Sequence, residues 1–198
     1  MKAVLATNNK HKIDEFKRFF NDVGINIDLI PISETGFKGE IDENADSFEG
    51  NAFIKADTLC KFTNMIAIAD DSGLCVDALD GRPGVYSSRY SGIGADDGKN
   101  NAKLLKELEG VPLEKRTARF VCAICVRRPD GKTLYVNGKA EGLIGFEYKG
   151  EGRFGYDPLF FYPPLNKTFA ELSSAEKNAV SHRGNAIKAL LEHRDFFD

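Results

Sequence analysis

The sequence predicts an α/β protein with a mixed β-sheet flanked by helices. In the first half of the 198-residue chain, apolar runs typical of strands alternate with amphipathic helical segments. In the second half, two β runs flank Pro129-Asp130-Gly131, which is a hairpin signal. Because the chain contains no repeats and no low-complexity linkers, we expect one domain over residues 1–198, arranged in two lobes.

The strands are predicted from short apolar runs that are rich in β-branched or aromatic residues. They are expected at residues 2–7, 27–32, 65–69, 118–127, 133–146 and 159–162. The intervening segments 33–46 and 73–92 are polar or rich in Gly and Pro, and they are predicted to be loops. The third strand is therefore expected to end just before Asp70, with Gly73 letting the chain turn away.

The helices are predicted from apolar residues that recur at helical spacing and from capping residues at their starts. Helices are expected at 11–23, 47–62 and 97–109, with core-facing stripes that include Ile13, Phe16 and Phe20 in the first, Phe48, Ala52, Ala56 and Leu59 in the second, and Leu104, Leu105 and Leu108 in the third. Ser47 is predicted to cap the second helix. Ser173 and Glu176 form a capping box for a C-terminal helical region, in which Ser181 opens a second piece that runs to about residue 194.

Composition excludes several classes of function. The formal net charge of −3 argues against a general nucleic-acid binder, and no apolar run approaches the ~20 residues of a membrane span. The N-terminal segment turns polar after six residues, too early for a signal peptide. Cys122 and Cys125 lie three apart in a predicted strand and so point to opposite faces, which makes buried free thiols in a reducing cytoplasm the expected state.

Three segments of the first half carry candidate groups for chemistry. Residues 7–12 (Thr7, Asn8, Asn9, Lys10, His11 and Lys12) form a polar turn between a strand and a helix, which is either an anion site or a capped surface turn. Glu43 precedes a helix on which Asn51 and Lys55 share one face. Asp70 and Asp71 follow an apolar run, so they are either a solvated turn or a site for Mg²⁺ or proton transfer.

Two further segments lie in the second half. Phe154, Gly155, Tyr156 and Asp157 place two aromatic rings around a glycine, which suits either a stacking platform for a base or an aromatic plug under a loop. Lys177, Ser181, His182 and Arg183 offer donors for phosphate or for the acceptors on a base edge, although a His–Arg pair in a helical region is also commonly structural.

Together these segments resemble the inosine/xanthosine triphosphate pyrophosphatase family. The resemblance spans nearly the whole chain and rests on six motifs in order, namely Thr7-Asn8-Asn9-x-x-Lys12, Ser47-Phe48-x-x-Asn51-Ala52-x-x-Lys55-Ala56, Ala69-Asp70-Asp71-Ser72-Gly73-Leu74, Pro83-Gly84-Val85-Tyr86-Ser87-Ser88-Arg89, Phe154-Gly155-Tyr156-Asp157-Pro158 and Ser181-His182-Arg183.

The resemblance implies an elongated mixed α/β fold with a central cleft between two lobes. It implies Mg²⁺-dependent hydrolysis of ITP, dITP and XTP to the monophosphate and pyrophosphate by a cytoplasmic homodimer. The residues that it assigns are the Thr7–Lys12 turn, Lys55 and Ser72 for the triphosphate; Glu43 and Asp71 for Mg²⁺, with Asp70 in support; Asp71 as proton acceptor; and Phe154, Gly155, Tyr156, Asp157, Lys177, His182 and Arg183 for the base and nucleotide end. Arg89 is a further contact that it suggests.

Three alternatives stay open at this point. One is a related pyrophosphatase that acts on pyrimidine or modified nucleotides. Another is a nucleotide-binding protein without catalysis, and the intact acidic and lysine groups argue against it. The third is a phosphatase with an aspartate nucleophile, whose usual DxD spacing after a strand is absent from the sequence.

Overall fold

The computed structural model describes residues 1–22, 26–151 and 154–197. Its strands are β1 (Lys2–Leu5), β2 (Asp28–Pro31), β3 (Ile66–Val76), β4 (Thr117–Arg127), β5 (Thr133–Ile144), β6 (Phe160–Tyr162) and β7 (Lys167–Thr168). Its helices are α1 (Lys10–Asp22), α2 (Phe48–Thr63), α3 (Asp97–Glu107), α4 (Ser174–Val180) and α5 (His182–Leu191). Among the described helices, none is long and apolar enough to cross a membrane.

The seven strands form one sheet in the order β2-β1-β3-β4-β5-β6-β7. β1 runs parallel to both β2 and β3, whereas β6 runs antiparallel to β5 and to β7. The predicted mixed sheet flanked by helices is therefore confirmed. The two-residue strand β7 was not predicted, because so short a segment shows no periodicity.

The chain divides into two compact units. Unit 1 comprises Met1–Asp71, Cys122–Gly138 and Gly184–Asp198, and unit 2 comprises Ser72–Val121 and Lys139–Arg183. Each unit has its own cluster of buried apolar side chains. That residues 1–198 act as one pyrophosphatase domain stays a prediction.

Unit 1 is a layered arrangement in which helices cover both faces of its strands. One apolar cluster joins α1 and α5 to one face of the strands, through Leu5, Phe16, Phe20, Ile68, Ile124, Ile187 and Leu190. The other joins α2 to the opposite face, through Val4, Ala52, Ala56, Leu59, Ala67, Ala69 and Cys125. Alternate residues of β1 and β3 belong to opposite clusters, as the two-residue period of a strand requires.

The two cysteines of β4 also separate onto opposite faces. Cys122 packs in the cluster with α1, and Cys125 packs in the cluster with α2. Both thiols are free and buried, which confirms the prediction from their spacing. Burial raises the pKa of Cys125 to about 12, so this thiol stays protonated and inert at neutral pH.

α2 begins and ends where the sequence predicts. The Ser47 hydroxyl accepts a hydrogen bond from the Gly50 backbone N–H at 3.1 Å, which satisfies one of the free donors of the first turn. Asn64 closes the helix in the left-handed conformation, with φ of 53°, a conformation that asparagine tolerates better than most residues.

The core of unit 2 is mainly aromatic and aliphatic. Leu104 and Leu108, from α3 and its C-cap, are fully buried there, as predicted, and Phe120, Phe160 and Phe169 pack around one another with ring centroids 4.6–5.8 Å apart. The predicted capping box of Ser173 and Glu176 is present at the start of α4. A second box formed by Thr168 and Glu171 caps a 3-10 helix and was not predicted.

β3 corrects one prediction from the sequence. The strand was expected to end before Asp70, with Gly73 turning the chain, but it continues from Ile66 through Asp70, Asp71 and Gly73 to Val76. Asp and Gly are depleted in strands, so the local sequence argues for a turn. Hydrogen bonding to neighbouring strands in the sheet overrides that preference.

Candidate active site

The two adjacent carboxylates of β3 lie on opposite faces of the strand. Ile68 packs against α1 and Ala69 packs against α2, and side chains two residues apart share a face. Asp70 therefore lies on the α1 face and Asp71 on the α2 face. The two neighbouring carboxylates therefore lie in two separate environments, each of which supplies a lysine.

Asp70 meets Lys12 of α1. The Lys12 Nζ lies 2.8 Å from Asp70 Oδ2, and the Asp70 side chain is only 1% exposed. A carboxylate this deeply buried is stable in its charged form only when a cation and hydrogen bonds replace its water. The pair therefore anchors the start of α1 to β3.

Asp71 lies in a denser cluster with residues of α2 and the loop before it. Asn51 Nδ2 donates to Asp71 Oδ2 at 3.0 Å, and Lys55 Nζ lies 3.8 Å from Asp71 Oδ1. The same Lys55 ammonium donates to Glu43 Oε2 at 2.6 Å. Asn51 is buried, and its Oδ1 accepts from the Ala45 N–H at 3.0 Å, so one amide holds both β3 and the loop that carries Glu43.

The pKa values in this cluster follow from burial and charge. Burial opposes the charged form of Lys55, but Asp70, Asp71 and Glu43 outweigh it, so the pKa of Lys55 is raised. Burial also raises the pKa of Asp71, although Lys55 and the Asn51 hydrogen bond act against it. A carboxylate with a raised pKa is a stronger base than an exposed one.

The turn before α1 is organised by its own side chains. Thr7 Oγ1 accepts from the Asn9 N–H at 3.1 Å, and Asn9 Oδ1 accepts a long hydrogen bond of 3.4 Å from the Lys12 N–H. Asn8 and Lys10 are exposed, and His11 lies in α1 with a side chain outside the described residues. These contacts fix the backbone at a helix N-terminus, where N–H groups favour anions.

In unit 2, the segment 154–157 is held in place by several contacts. The Tyr156 hydroxyl donates to the Ser87 carbonyl at 2.7 Å, and Asp157 forms an ion pair with Lys177. The Lys177 ammonium also lies 5.7 Å from the centroid of the Phe154 ring, which is 38% exposed. The two aromatic rings differ in exposure. Tyr156 is buried under the loop, as expected of a plug, whereas Phe154 keeps an exposed face, as a stacking platform requires.

His182 and Arg183 begin α5 and are both buried. The His182 ring stacks on Phe120 with a centroid distance of 4.8 Å and an interplanar angle of 16°. Two other candidates in the same unit are half-buried: Ser72 follows Asp71 on β3, and the Arg89 guanidinium lies 5.1 Å from the centroid of the exposed Tyr86 ring.

The structure thus joins Lys12 to Asp70, Lys55 to Glu43 and Asp71, and Lys177 to Asp157. Sequence reasoning missed Asp97 and Asn101 of α3, which both bond to Gly155. Their only signal was a run of polar residues at the start of a predicted helix. Such a run ordinarily indicates a solvated face, so contacts across more than fifty residues could not be inferred from it.

The chain is similar to known proteins along nearly its whole length. The model of the Ham1 family matches residues 3–193. A dITP/XTP pyrophosphatase of Listeria monocytogenes serotype 4b (strain F2365) is 50% identical, covering 96% of this chain and 92% of that protein, and one of Bacillus subtilis (strain 168) is 48% identical, covering 95% and 94%. The structure of the Staphylococcus aureus Ham1 protein covers 100% of both chains with a TM-score of 0.90 and 41% identity. The family resemblance predicted from the motifs is confirmed.

Proposed function

Since the chain belongs to the Ham1 family, we propose that it hydrolyses ITP, dITP and XTP to the nucleoside monophosphate and pyrophosphate. This reaction removes non-standard purine nucleotides from the nucleotide pool, and residues 1–198 act as one catalytic domain. The observation that carries the proposal is the cluster in which Asn51, Lys55 and Glu43 surround the buried face of Asp71. Phosphoryl-type transfer requires this combination of positioned carboxylates and cations.

The triphosphate binds to cationic and polar groups. Lys12 and Lys55 stabilise the charge that develops on the leaving pyrophosphate, and the N–H groups of the Thr7–Lys12 turn and the Ser72 hydroxyl contact phosphate oxygens. Both lysines are mostly buried against carboxylates. Each ammonium is thus held in position before the substrate arrives.

The donor set around Asp71 fits Mg²⁺. In the part of the chain that the structure describes, no group of three His, Cys, Asp or Glu side chains forms a metal cluster. Mg²⁺ does not need one, because it binds through one or two carboxylates and takes water and phosphate oxygens as its other ligands. The carboxylates of Glu43 and Asp71 both lie near the Lys55 ammonium. Two hard oxygen donors are therefore close to one positively charged group. These two residues would hold Mg²⁺, with Asp70 in support.

Asp71 accepts a proton from the attacking water. The Asn51 amide, which donates to Asp71 Oδ2, and the Lys55 ammonium beside Asp71 Oδ1 hold the carboxylate in position for this role. The water attacks the α-phosphorus, and pyrophosphate leaves. When bound, Mg²⁺ supplies charge neutralisation on the phosphates and lowers the pKa of coordinated water.

The base end of the nucleotide binds to residues of unit 2. The exposed face of Phe154 stacks on the base, and Lys177, held by Asp157, keeps a cation beside that ring. His182 or Arg183 donates to the 6-oxo group of hypoxanthine or xanthine. Adenine presents an amino group at that position, and two opposed donors cost about 1–3 kcal/mol.

We also propose where the protein acts and what it binds. The protein acts in the cytoplasm as a homodimer. Its partner is the small nucleotide substrate, and it binds neither nucleic acid nor membrane.

The test is a nucleotide panel with product analysis. The protein is incubated with ITP, dITP, XTP, ATP, GTP, dTTP and UTP, with Mg²⁺ or with EDTA, and pyrophosphate and orthophosphate are measured separately. We expect pyrophosphate from ITP, dITP and XTP only with Mg²⁺. Release of orthophosphate, or preference for dTTP or UTP, would overturn the proposal.

A matched pair of variants tests the assigned base. Asp71→Asn keeps the size of the side chain but removes its basicity, so turnover of ITP should fall by about 10²–10⁴-fold. Asp80→Asn is the control, because Asp80 is exposed and has φ of 54°, a conformation that asparagine tolerates. Near-normal turnover by Asp71→Asn would remove Asp71 from the role of base.

A further inference from the structure

The first two turns of α3 hold both backbone groups of Gly155. The Gly155 N–H donates to Asp97 Oδ2 at 2.7 Å, and Asn101 Nδ2 donates to the Gly155 carbonyl at 2.8 Å. Asp97 and Asn101 are four residues apart, so they share one face of the helix. Two hydrogen bonds from one rigid helix thus fix both polar groups of a single residue in a distant loop.

Gly155 is a residue that needs external restraint. It has φ of +56° and no atom within 4 Å of the position that a Cβ would occupy. Glycine adopts many conformations at similar energy, so packing against a side chain cannot select this one. The two hydrogen bonds to α3 select it together with the turn in which the Asp157 N–H donates to the Phe154 carbonyl at 3.2 Å.

Neither residue is the N-cap of α3. The N-cap of α3 is Asp96, whose side chain accepts from the Lys99 N–H at 2.8 Å. Asn100, the neighbour of Asn101, binds instead to Ser91 and to the Ser88 carbonyl. Neighbouring polar residues of α3 therefore bind different groups, and Asp97 and Asn101 are the two that bind Gly155.

The neighbours of Gly155 in the chain are Phe154, whose exposed ring is the proposed base platform, and the buried Tyr156. Tyr156 is tied through its hydroxyl to Ser87, and Asp157 is tied to Lys177. The position of Phe154, one residue before Gly155, depends on the backbone that α3 holds. A small rotation at Gly155 would move the exposed Phe154 ring away from Lys177.

We infer that Asp97 and Asn101 are positioning residues that set the Phe154 ring for stacking on the substrate base. Neither side chain is assigned a contact with the nucleotide, and the inference rests on the proposed function for the role of Phe154. Their loss should weaken binding of the base while leaving the chemistry at Asp71 intact.

Kinetics with ITP form the first arm of the test. Asp97→Ala and Asn101→Ala should each raise KM about tenfold and change kcat less than about twofold. Asp97→Asn should restore much of the loss, because its amide oxygen can still accept from the Gly155 N–H. Asp96→Ala is the matched control: it removes the helix cap and lowers Tm by a few degrees, but KM should stay at the parent value.

A spectroscopic arm reports on the platform without substrate. The chain contains no tryptophan, so Phe154→Trp introduces a single indole at the platform. In that background, Asp97→Ala and Asn101→Ala should increase acrylamide quenching about twofold and lower the fluorescence anisotropy. Asp96→Ala should leave both signals unchanged.

The outcomes separate this inference from the proposed function. Unchanged KM and unchanged quenching in Asp97→Ala and Asn101→Ala would overturn the inference, as would equal effects from Asp96→Ala. If Phe154→Ala leaves the KM for ITP unchanged, the proposed role of Phe154 fails. The quenching measurement then decides by itself whether α3 positions residue 154.

Discussion

Removing Lys12 from its ion pair with the buried Asp70 should strongly destabilise unit 1, and Lys12→Met tests this. At 2.8 Å and an effective dielectric constant of about 20, the Coulomb attraction is about 6 kcal/mol. Desolvation of both groups offsets part of this value. Removing one partner nevertheless leaves a carboxylate that is 1% exposed without its lysine, which costs about 3–5 kcal/mol.

The assay is urea and thermal unfolding followed by circular dichroism, with EDTA present so that metal binding adds no stabilisation. A loss of about 3 kcal/mol corresponds to a fall in Tm of about 10 °C for a chain of this length. Lys61→Met is the control, since Lys61 is 74% exposed in its i, i+4 pair with Asp57, and such pairs contribute less than about 0.5 kcal/mol.

A double-mutant cycle identifies the cause of the loss. Because Lys12→Met with Asp70→Asn removes both charges, the double variant should be about 2 kcal/mol more stable than the sum of the single effects predicts. If Lys12→Met costs no more than Lys61→Met, or if the cycle shows no coupling, the argument from burial is wrong.

Three further predictions address the cluster at Asp71, the sheet and the thiols. Asn51→Ala removes the amide that donates to Asp71, so kcat/KM for ITP in a pyrophosphate-release assay should fall about 10–100-fold; an unchanged value would make this amide irrelevant to turnover. Gly142→Ala would place a Cβ 2.5 Å from a backbone carbonyl oxygen of β6 and should cost about 1–3 kcal/mol in thermal unfolding, whereas Gly145→Ala, with its nearest contact at 3.6 Å, should not cause this loss. Of the four free thiols, only Cys75 is not fully buried, and burial raises its pKa. A disulfide reagent should therefore modify about one thiol slowly in the native protein and all four after unfolding. Fast reaction of several native thiols would contradict this prediction.

Elements with a local cause were predictable from the sequence. Ser47 and Ser173 start helices because their hydroxyls accept bonds from nearby N–H groups, and the stripe of Phe16 and Phe20 follows from helical spacing. β3 beyond Ala69 was not predictable, because the residues there disfavour a strand by themselves. Only its pairing in the sheet explains why the strand continues.

The candidate site divides in the same way. The residue types at positions 12, 55 and 71 indicated cations and carboxylates, and the family resemblance assigned their roles. Which lysine meets which aspartate depends on the faces of β3 that α1 and α2 cover, a tertiary fact. Asn101 and Gly155 are also far apart in the sequence. The polar residues at the start of the predicted helix do not indicate which distant loop they contact.

The alternation of Asp70 and Asp71 along β3 has a consequence for insertions and deletions. Adding one residue between Ile68 and Asp70 would move each carboxylate to the other face of the strand. The carboxylate of Asp70 would then lie on the side of α2, and that of Asp71 on the side of α1. Adding two residues would restore the faces but shift both groups along the strand by about 7 Å. The length of this short stretch therefore decides which helix each carboxylate faces.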